Sequence, residues 1–252
     1  MPKNIQPEWN TEQAICSYDV DPHQTARLPA LCRFMQEAAY LHAEHLGLGH
    51  AFLAERGFAW VLARQRIAID SWPRWGDAVH VRTWPSGRDR LFFHRDFELT
   101  DGAGRRVLRA SNAWSLIDLE TRALAHPDIY LSADLPVGGR VFDAKLGRVK
   151  GCDCADGISM PVTYGDLDLN GHVNNVRYIE WILNSLLPEF HEAHTLMELE
   201  VNFLGEARQG RPVFVCSAER EPLYFAHAIK TGDTELVRAQ SVWKKGNPGH
   251  EE

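Results

Sequence analysis

The residues best equipped for chemistry crowd one short run, Asp166-Leu-Asp168-Leu-Asn170-Gly171-His172-Val173-Asn174-Asn175-Val-Arg-Tyr178-Ile-Glu180-Trp181. Carboxylates, carboxamides and an imidazole at this spacing can take and return a proton, orient a water and donate to a developing negative charge. Val176, Ile179, Ile182, Leu183 and Leu186 share one face at helical spacing. The run is therefore a loop entering a helix over 174–187, which Pro188 ends. A helix N-terminus offers free N–H groups and the positive end of its dipole to an oxyanion. Capping accounts for one or two Asp or Asn residues there, not for the whole set.

Comparing the chain with itself shows what frames this run. Tyr18-Asp-Val-Asp-Pro-His-Gln-Thr precedes a first helical stretch as Tyr164-Gly-Asp-Leu-Asp-Leu-Asn-Gly-His precedes the second, pairing Asp21 with Asp168 and Phe34 with Trp181. Ile67-Ala-Ile-Asp-Ser-Trp-Pro-Arg-Trp-Gly matches Val201-Asn-Phe-Leu-Gly-Glu-Ala-Arg-Gln-Gly without a gap. Leu91-Phe-Phe-His leads to Arg109 and Trp114 as Leu223-Tyr-Phe-Ala leads to Arg238 and Trp243. Three anchors in one order make a duplicated domain.

Each copy reads as one helix followed by strands. The first helix covers 28–46, with Leu31, Phe34, Met35, Ala38, Ala39 and Leu41 on a buried face, Pro29 in the first turn and Gly47 as the stop. Segments 60–69, 77–84, 90–99 and 106–117 are β-branched and aromatic, separated by Gly and Asp turns, which suits an antiparallel sheet holding a helix. A glycine-rich stretch over 132–157 joins the copies and places the boundary near residue 150, giving domains 1–150 and 151–252. The copies differ in equipment. Asn170 and His172 face His23 and Thr25 in the alignment, and Glu206 faces Trp72, so the second copy is armed and the first is not.

Composition narrows the classes. With 27 Lys+Arg against 34 Asp+Glu the formal charge is −7, which argues against nucleic-acid binding by bulk charge. No apolar run is long enough for a transmembrane helix, so no membrane insertion is expected, and the start has neither a secretory h-region nor a transit-like leader. The expectation is a cytoplasmic protein of bacterial type. Five scattered cysteines imply no disulfide framework and are read as reduced thiols. Cys152 and Cys154 lack a partner pair for zinc, and His172 has no second His three or four residues on, so no metal is expected.

The run from Asp168 through Asn170 and His172 into Val173-Asn174-Asn175 and Tyr178-Ile179 closely resembles the acyl-acyl-carrier-protein thioesterases, the plant chain-terminating enzymes and their bacterial relatives. Trp72-Pro-Arg-Trp-Gly-Asp, Thr83-Trp-Pro-Ser-Gly-Arg-Asp-Arg-Leu and Ala113-Trp-Ser-Leu-Ile-Asp-Leu-Glu-Thr-Arg resemble that family's amino-terminal domain, so the likeness spans about 12–245. It implies an α+β double hotdog fold, two tandem domains each wrapping a sheet round a long helix. It also implies catalytic Asp168, Asn170 and His172 and a further acidic residue on a later strand. Glu206 is the candidate for that residue, although its spacing to Val213 is one residue longer than the plant pattern, and Glu200 is the substitute. The Cys of the plant enzymes has no counterpart beside Glu206.

The implied activity is hydrolysis of fatty acyl thioesters of acyl carrier protein, with no cofactor. Glu206 or His172 would activate water, Asn170 would orient it or the carbonyl, Asp168 would fix His172 or Asn170, and N–H groups of Val173, Asn174 and Asn175 would face the oxyanion. Phe34, Met35, Trp60, Phe92 and Trp114 are the candidate lining of the acyl slot. An acidic carrier needs a local basic patch, for which Arg88, Arg90, Arg105, Arg106, Lys145, Arg148 and Lys150 are candidates. The rival readings are an acyl-coenzyme A thioesterase and a non-catalytic lipid-binding module. Sheet edges could pair two copies into a homodimer.

Overall fold

The computed structural model describes residues 6–89, 91–125, 137–152 and 157–246. In the first half β1 (Trp9–Ala14) precedes α1 (Leu28–His45) and the short α2 (His50–Ala54), followed by β2 (Phe58–Ile69), β3 (Ala78–Arg88), β4 (Phe93–Asp101), β5 (Arg106–Asp118) and β6 (Leu124–Ala125). In the second, β7 (Ile158–Met160) precedes α3 (Asn175–Asn184) and α4 (Pro188–Ala193), followed by β8 (His194–Phe203), β9 (Val213–Glu221), β10 (Tyr224–Thr231) and β11 (Thr234–Lys245).

The first helix forms where its apolar spacing places it. Leu31, Met35, Ala38 and Ala39 are buried and Phe34 is half-buried, but Leu41 is exposed, so the buried face is narrower than the spacing suggests. Pro29 occupies the first turn where its missing N–H costs nothing, and Gly47 takes a positive φ of 72° beyond the end. The second differs from expectation. It stops at Asn184, and Pro188 starts α4 instead of ending α3, because proline suits a first turn as well as a stop.

The eleven strands among the described residues form one antiparallel sheet in the order β1-β3-β4-β5-β2-β8-β11-β10-β9-β7, with β6 on β5. Outward from the centre, the first half runs β2, β5, β4, β3, β1 and the second runs β8, β11, β10, β9, β7, the same sequence of counterparts. α1 packs on β1 and β3, α3 packs on β9 and β10, and the two helices meet. One continuous core, including Phe97, Leu99, Met35, Ile179, Ile182 and Leu199, joins both halves. This is the α+β double hotdog.

The central pairing positions everything else. Residues 64–68 of β2 oppose 198–202 of β8, and Arg66 lies opposite Glu200, its own counterpart in the gap-free alignment. The pseudo-twofold axis thus runs through an Arg66–Glu200 pair, 3.3 Å between Nε and Oε1. Beyond this short ladder the two strands separate on both sides, and a cleft opens at each end. On one side β2 also bulges between Leu62 and Arg64 against β5.

The loops before α1 and α3 repeat each other atom for atom. Asp21 Oδ1 accepts from His23 N and Thr25 N (2.9 and 3.0 Å), and Asp168 Oδ1 accepts from Asn170 N and His172 N (2.8 and 3.2 Å). Gln24 and Gly171 hold the matching left-handed position at φ 62° and 73°.

The thiol expectation fails in part. Cys16 and Cys32 are free, but Cys216 is disulfide-bonded. Cys152 Sγ lies 3.8 Å from Cys216 Sγ, a contact too long for an S–S bond and one that spacing along the chain does not reveal. Cys154 lies outside the described residues. No helix among the described residues is long and apolar enough to cross a membrane.

Candidate active site

The cleft on the β2-bulge side encloses about 640 Å³ and is bordered by Asp168, Asn170, His172, Val173, Asn175, Tyr178 and Glu206 from the second half. Trp60, Leu62, Arg64, Phe92, Ile117 and Arg122 border it from the first. Its volume suits a small ligand or an acyl chain. Sequence proximity explains only half of this set, since the opposing wall comes from the other copy across the β2–β8 divergence.

Asp168 is the organiser of the loop. Its carboxylate is spent on the backbone N–H groups of Asn170 and His172, while its own N–H donates to His172 O at 2.7 Å. The turn closes at Gly171, whose positive φ an L-residue with a side chain adopts only at a cost. This fixes the His172 backbone, and its Nε2 lies 3.6 Å from Glu206 Oε2. Glu206 stands in the loop after β8, not on a strand, three residues past Phe203. Glu200, the substitute candidate, is elsewhere: half-buried on the pseudo-twofold axis, it accepts from Gln240 Nε2 at 2.6 Å and faces Arg66.

Arg122 escaped sequence reasoning. It sits at φ 59° in the turn between β5 and β6 of the first half and donates to Glu206 Oε2 at 2.7 Å. Nothing in the sequence ties it to a carboxylate 84 positions away. His50, also unforeseen, donates from Nε2 to Asn170 Oδ1 at 2.8 Å. Tyr178 places its hydroxyl oxygen 2.7 Å from Ala207 N, anchoring the Glu206 loop to α3. Burial raises the Tyr178 pKa to about 12, so the phenol stays neutral and donor-competent at ordinary pH.

Of the three candidate oxyanion donors, Asn174 drops out. Its N–H donates to Asp166 O at 2.9 Å and its side chain caps α3 by accepting from Val176 N. Asn175 is the first residue of α3, where the N–H has no intrahelical acceptor, and with Val173 it borders the cleft. Asp166 is buried, and against that burial the Thr163 backbone N–H and hydroxyl (2.7 and 2.8 Å) and then Arg177 (2.7 Å) hold its carboxyl below the usual range. Glu180 borders the opposite cleft.

The acyl-slot candidates divide. Trp60 and Phe92 border the cleft, and Trp60 Nε1 donates to Leu48 O at 3.1 Å. Met35 is buried in the core under α1, Phe34 packs on that core, and Trp114 sits on β5 outside the cleft wall. Aromatic content alone does not tell a core face from a cleft face. Leu62, Ile117 and Phe203 complete the apolar wall instead.

The basic candidates divide as well. Arg148 borders the cleft, with Lys145 and Lys150 exposed on either side of it in the segment that Asn202 holds through Val149 N at 2.8 Å. Arg88 ends β3 opposite Phe93, whose ring lies 5.7 Å from Trp60. Arg105 and Arg106 do not belong. They pair with Asp101 and Asp70 at the far end of β5, and the cleft is reached only at Ser115 and Ile117. At about 3.3 Å per residue, that is some 30 Å away. Arg90 lies outside the described residues. Arg64 and Arg238, not foreseen, reach the same mouth. Arg64 NH1 donates to Leu146 O at 2.6 Å with its guanidinium 4.7 Å from the Phe92 ring centroid.

Two family models match the chain, the acyl-ACP thioesterase N-terminal domain over residues 7–129 and the acyl-ACP thioesterase C-terminal domain over residues 155–245. A chloroplastic palmitoyl-acyl carrier protein thioesterase of Cuphea hookeriana is 29% identical over 93% of this chain. The chain spans 61% of that relative's length. Among solved structures, an acyl-ACP thioesterase from Bacteroides thetaiotaomicron is similar with a TM-score of 0.88 and 26% identity, covering 94% of this chain and 98% of its own. The 12:0-ACP thioesterase from Umbellularia californica shares the fold with a TM-score of 0.87 at 24% identity, covering 96% of this chain and 98% of its own.

Proposed function

Because the chain belongs to the acyl-ACP thioesterase family, we propose that it hydrolyses fatty acyl thioesters of acyl carrier protein, releasing free fatty acid and the carrier thiol. The observation that carries the reading is the His172–Glu206 pair, 3.6 Å apart, set in a cleft whose opposing wall holds Trp60 and Phe92. A water held beside the two side chains loses its proton to the pair as its oxygen attacks the thioester carbonyl carbon. The oxyanion meets the α3 N-terminus at Asn175, with Asn170 orienting the water or the carbonyl. The intermediate then collapses, the carbon–sulfur bond breaks, and the leaving thiolate takes the proton back from the pair. No covalent acyl-enzyme is needed, and no cysteine borders the cleft among the described residues.

The armed second half supplies the acid–base groups and the first supplies the apolar wall and Arg122. The disarmed loop at Asp21 keeps the same backbone frame with Thr25 and Trp72 in place of His172 and Glu206. That division of labour favours an enzyme over a binding module, since a module has no use for one armed copy.

The reading is tested by release of free fatty acid from carrier-bound acyl groups of graded length, run beside the coenzyme A thioesters of the same acyl groups. Turnover on the carrier series with a clear optimum length supports it. Turnover on coenzyme A alone transfers the activity to the rival substrate class, and none on either returns the chain to a binding role.

The mouth arginines give a second expectation. Arg64 and Arg148 stand close enough that Arg148's charge, after burial, lowers the Arg64 pKa. Such a like-charged pair at a rim attracts an acidic partner. Arg148→Ala is expected to raise KM for the carrier-bound substrate roughly fivefold with kcat little changed, and the difference from wild type to shrink in high salt. An unchanged KM at low ionic strength would move the docking surface elsewhere.

A further inference from the structure

The pseudo-twofold axis relates the active-site cleft to a second one, about 400 Å³, where β2 and β8 separate on the other side. We propose that this second cleft binds the carboxylate of a free fatty acid and holds it without performing chemistry. Thr25 and Trp72 stand in it where the active site has His172 and Glu206. The counterparts of the acid–base pair are replaced, yet the hydrogen-bonding frame of the loop persists.

Four observations converge on an anionic head. Thr25 is only 4% exposed, and its Oγ1 has no hydrogen-bond partner among the described residues. Trp72 Nε1, a donor that can do nothing but donate, is likewise buried and unpartnered. The N-terminus of α1 has no side-chain cap, whereas Asn174 caps α3, so the dipole end of an 18-residue helix faces the cleft through Leu28, Pro29 and Ala30. Arg27, the N-cap residue at the rim, has no ion-pair partner among the described residues.

The acidic side chains bordering the cleft are already engaged. Asp19 is bound by Arg33 at 2.8 Å, Glu180 by Arg177, and Asp21 by two backbone N–H groups. What remains is the Arg27 cation with two unused donors, a set that fits one carboxylate. Leu183, Leu196 and Trp243 border the same cleft and offer apolar surface to an alkyl tail. The ligand class follows from this cleft alone, while its identity with the product of hydrolysis rests on the proposed function.

The test is calorimetric titration of the full chain with dodecanoate below its aggregation range. Two binding events are expected in the wild type. Arg27→Gln and Trp72→Phe should each weaken one of them at least fivefold while leaving thioester turnover without added fatty acid unchanged. Dodecanol should bind that site at least tenfold more weakly than dodecanoate. Arg27→Gln alters an exposed side chain, so it keeps the test informative if Trp72→Phe perturbs folding. A single event untouched by either variant overturns the proposal, as does equal affinity for the alcohol. Two-site binding in a protein that hydrolyses no thioester would leave this site standing and remove the proposed function, so the two failures are distinguishable.

Discussion

Replacing His172 with alanine is expected to cut acyl-ACP hydrolysis at least a hundredfold, with the thermal midpoint within a few degrees of wild type. Its side chain is partly exposed at the cleft and contributes no core packing, so the loss falls on chemistry rather than on folding. Removing one member of a proton-transferring pair typically costs about 10²–10⁴ in rate, or about 3–5 kcal/mol of transition-state stabilisation. Glu206→Ala should fall in the same range and the double variant only slightly lower, because groups acting as a unit are not additive. Arg122→Ala should cost less, roughly tenfold, since it positions the Glu206 carboxylate through one 2.7 Å contact without reaching the reacting atoms. Steady-state rates on one carrier-bound substrate decide the matter. Full activity in Glu206→Ala would make the 3.6 Å approach a structural coincidence and leave His172 as sole base.

The candidate catalytic loop is legible in the sequence because its information is local. Asp168, Asn170, Gly171 and His172 hold one another through backbone hydrogen bonds within four residues, and the same pattern at Asp21 made the duplication visible. Glu206 was within reach because the repeat aligned it with Trp72. Arg122 and His50 were not, since they come from the other half and meet the loop only across the β2–β8 divergence.

The misplacements have physical causes too. Met35 and Trp60 are both large and apolar, but one faces the core under α1 and the other borders the cleft, and hydrophobicity is blind to that difference. Arg105 and Arg106 have the right charge but lie at the end of the thirteen-residue β5 that is remote from the cleft. Glu200 was a reasonable substitute by composition, and its place on the pseudo-twofold axis excludes it. That axis is a property of strand pairing that no single copy encodes.

Acid should unfold this protein at a pH where most of its carboxylates are still ionised. Two of the buried histidines, His227 and His42, are held neutral. His227 has Nδ1 2.6 Å from Ser217 Oγ and Nε2 2.8 Å from Ser241 Oγ, and burial lowers its pKa to about 3. His42 accepts from Arg95 at Nδ1 (2.9 Å) and donates from Nε2 to Gln6 O (3.1 Å). Burial, aided by the Arg95 charge, lowers its pKa to about 4. In the unfolded chain each titrates near 6.5, so between that pH and the folded value the unfolded state binds more protons. Stability from both groups is therefore fully present above about pH 6.5 and is lost as pH falls. At pH 4.5 each has forfeited roughly 2.5 kcal/mol, about 5 together, a large part of the 5–15 or so that holds a domain folded. The carboxylates whose pKa is depressed, Asp89 and Asp166 among them, add to the loss only lower, as pH drops through the carboxylate range. Urea unfolding at a series of pH values should show the free energy falling with a slope near two protons, about 2.7 kcal/mol per unit, between pH 6 and 4.5. His227→Gln should be less stable at neutral pH, because Ser217 and Ser241 lose their shared partner, and its slope should be shallower by about one proton. A wild-type slope near zero over that interval would mean that one or both imidazoles can charge inside the folded protein, and the buried networks at Ser217 and Arg95 would then have to open to admit the proton.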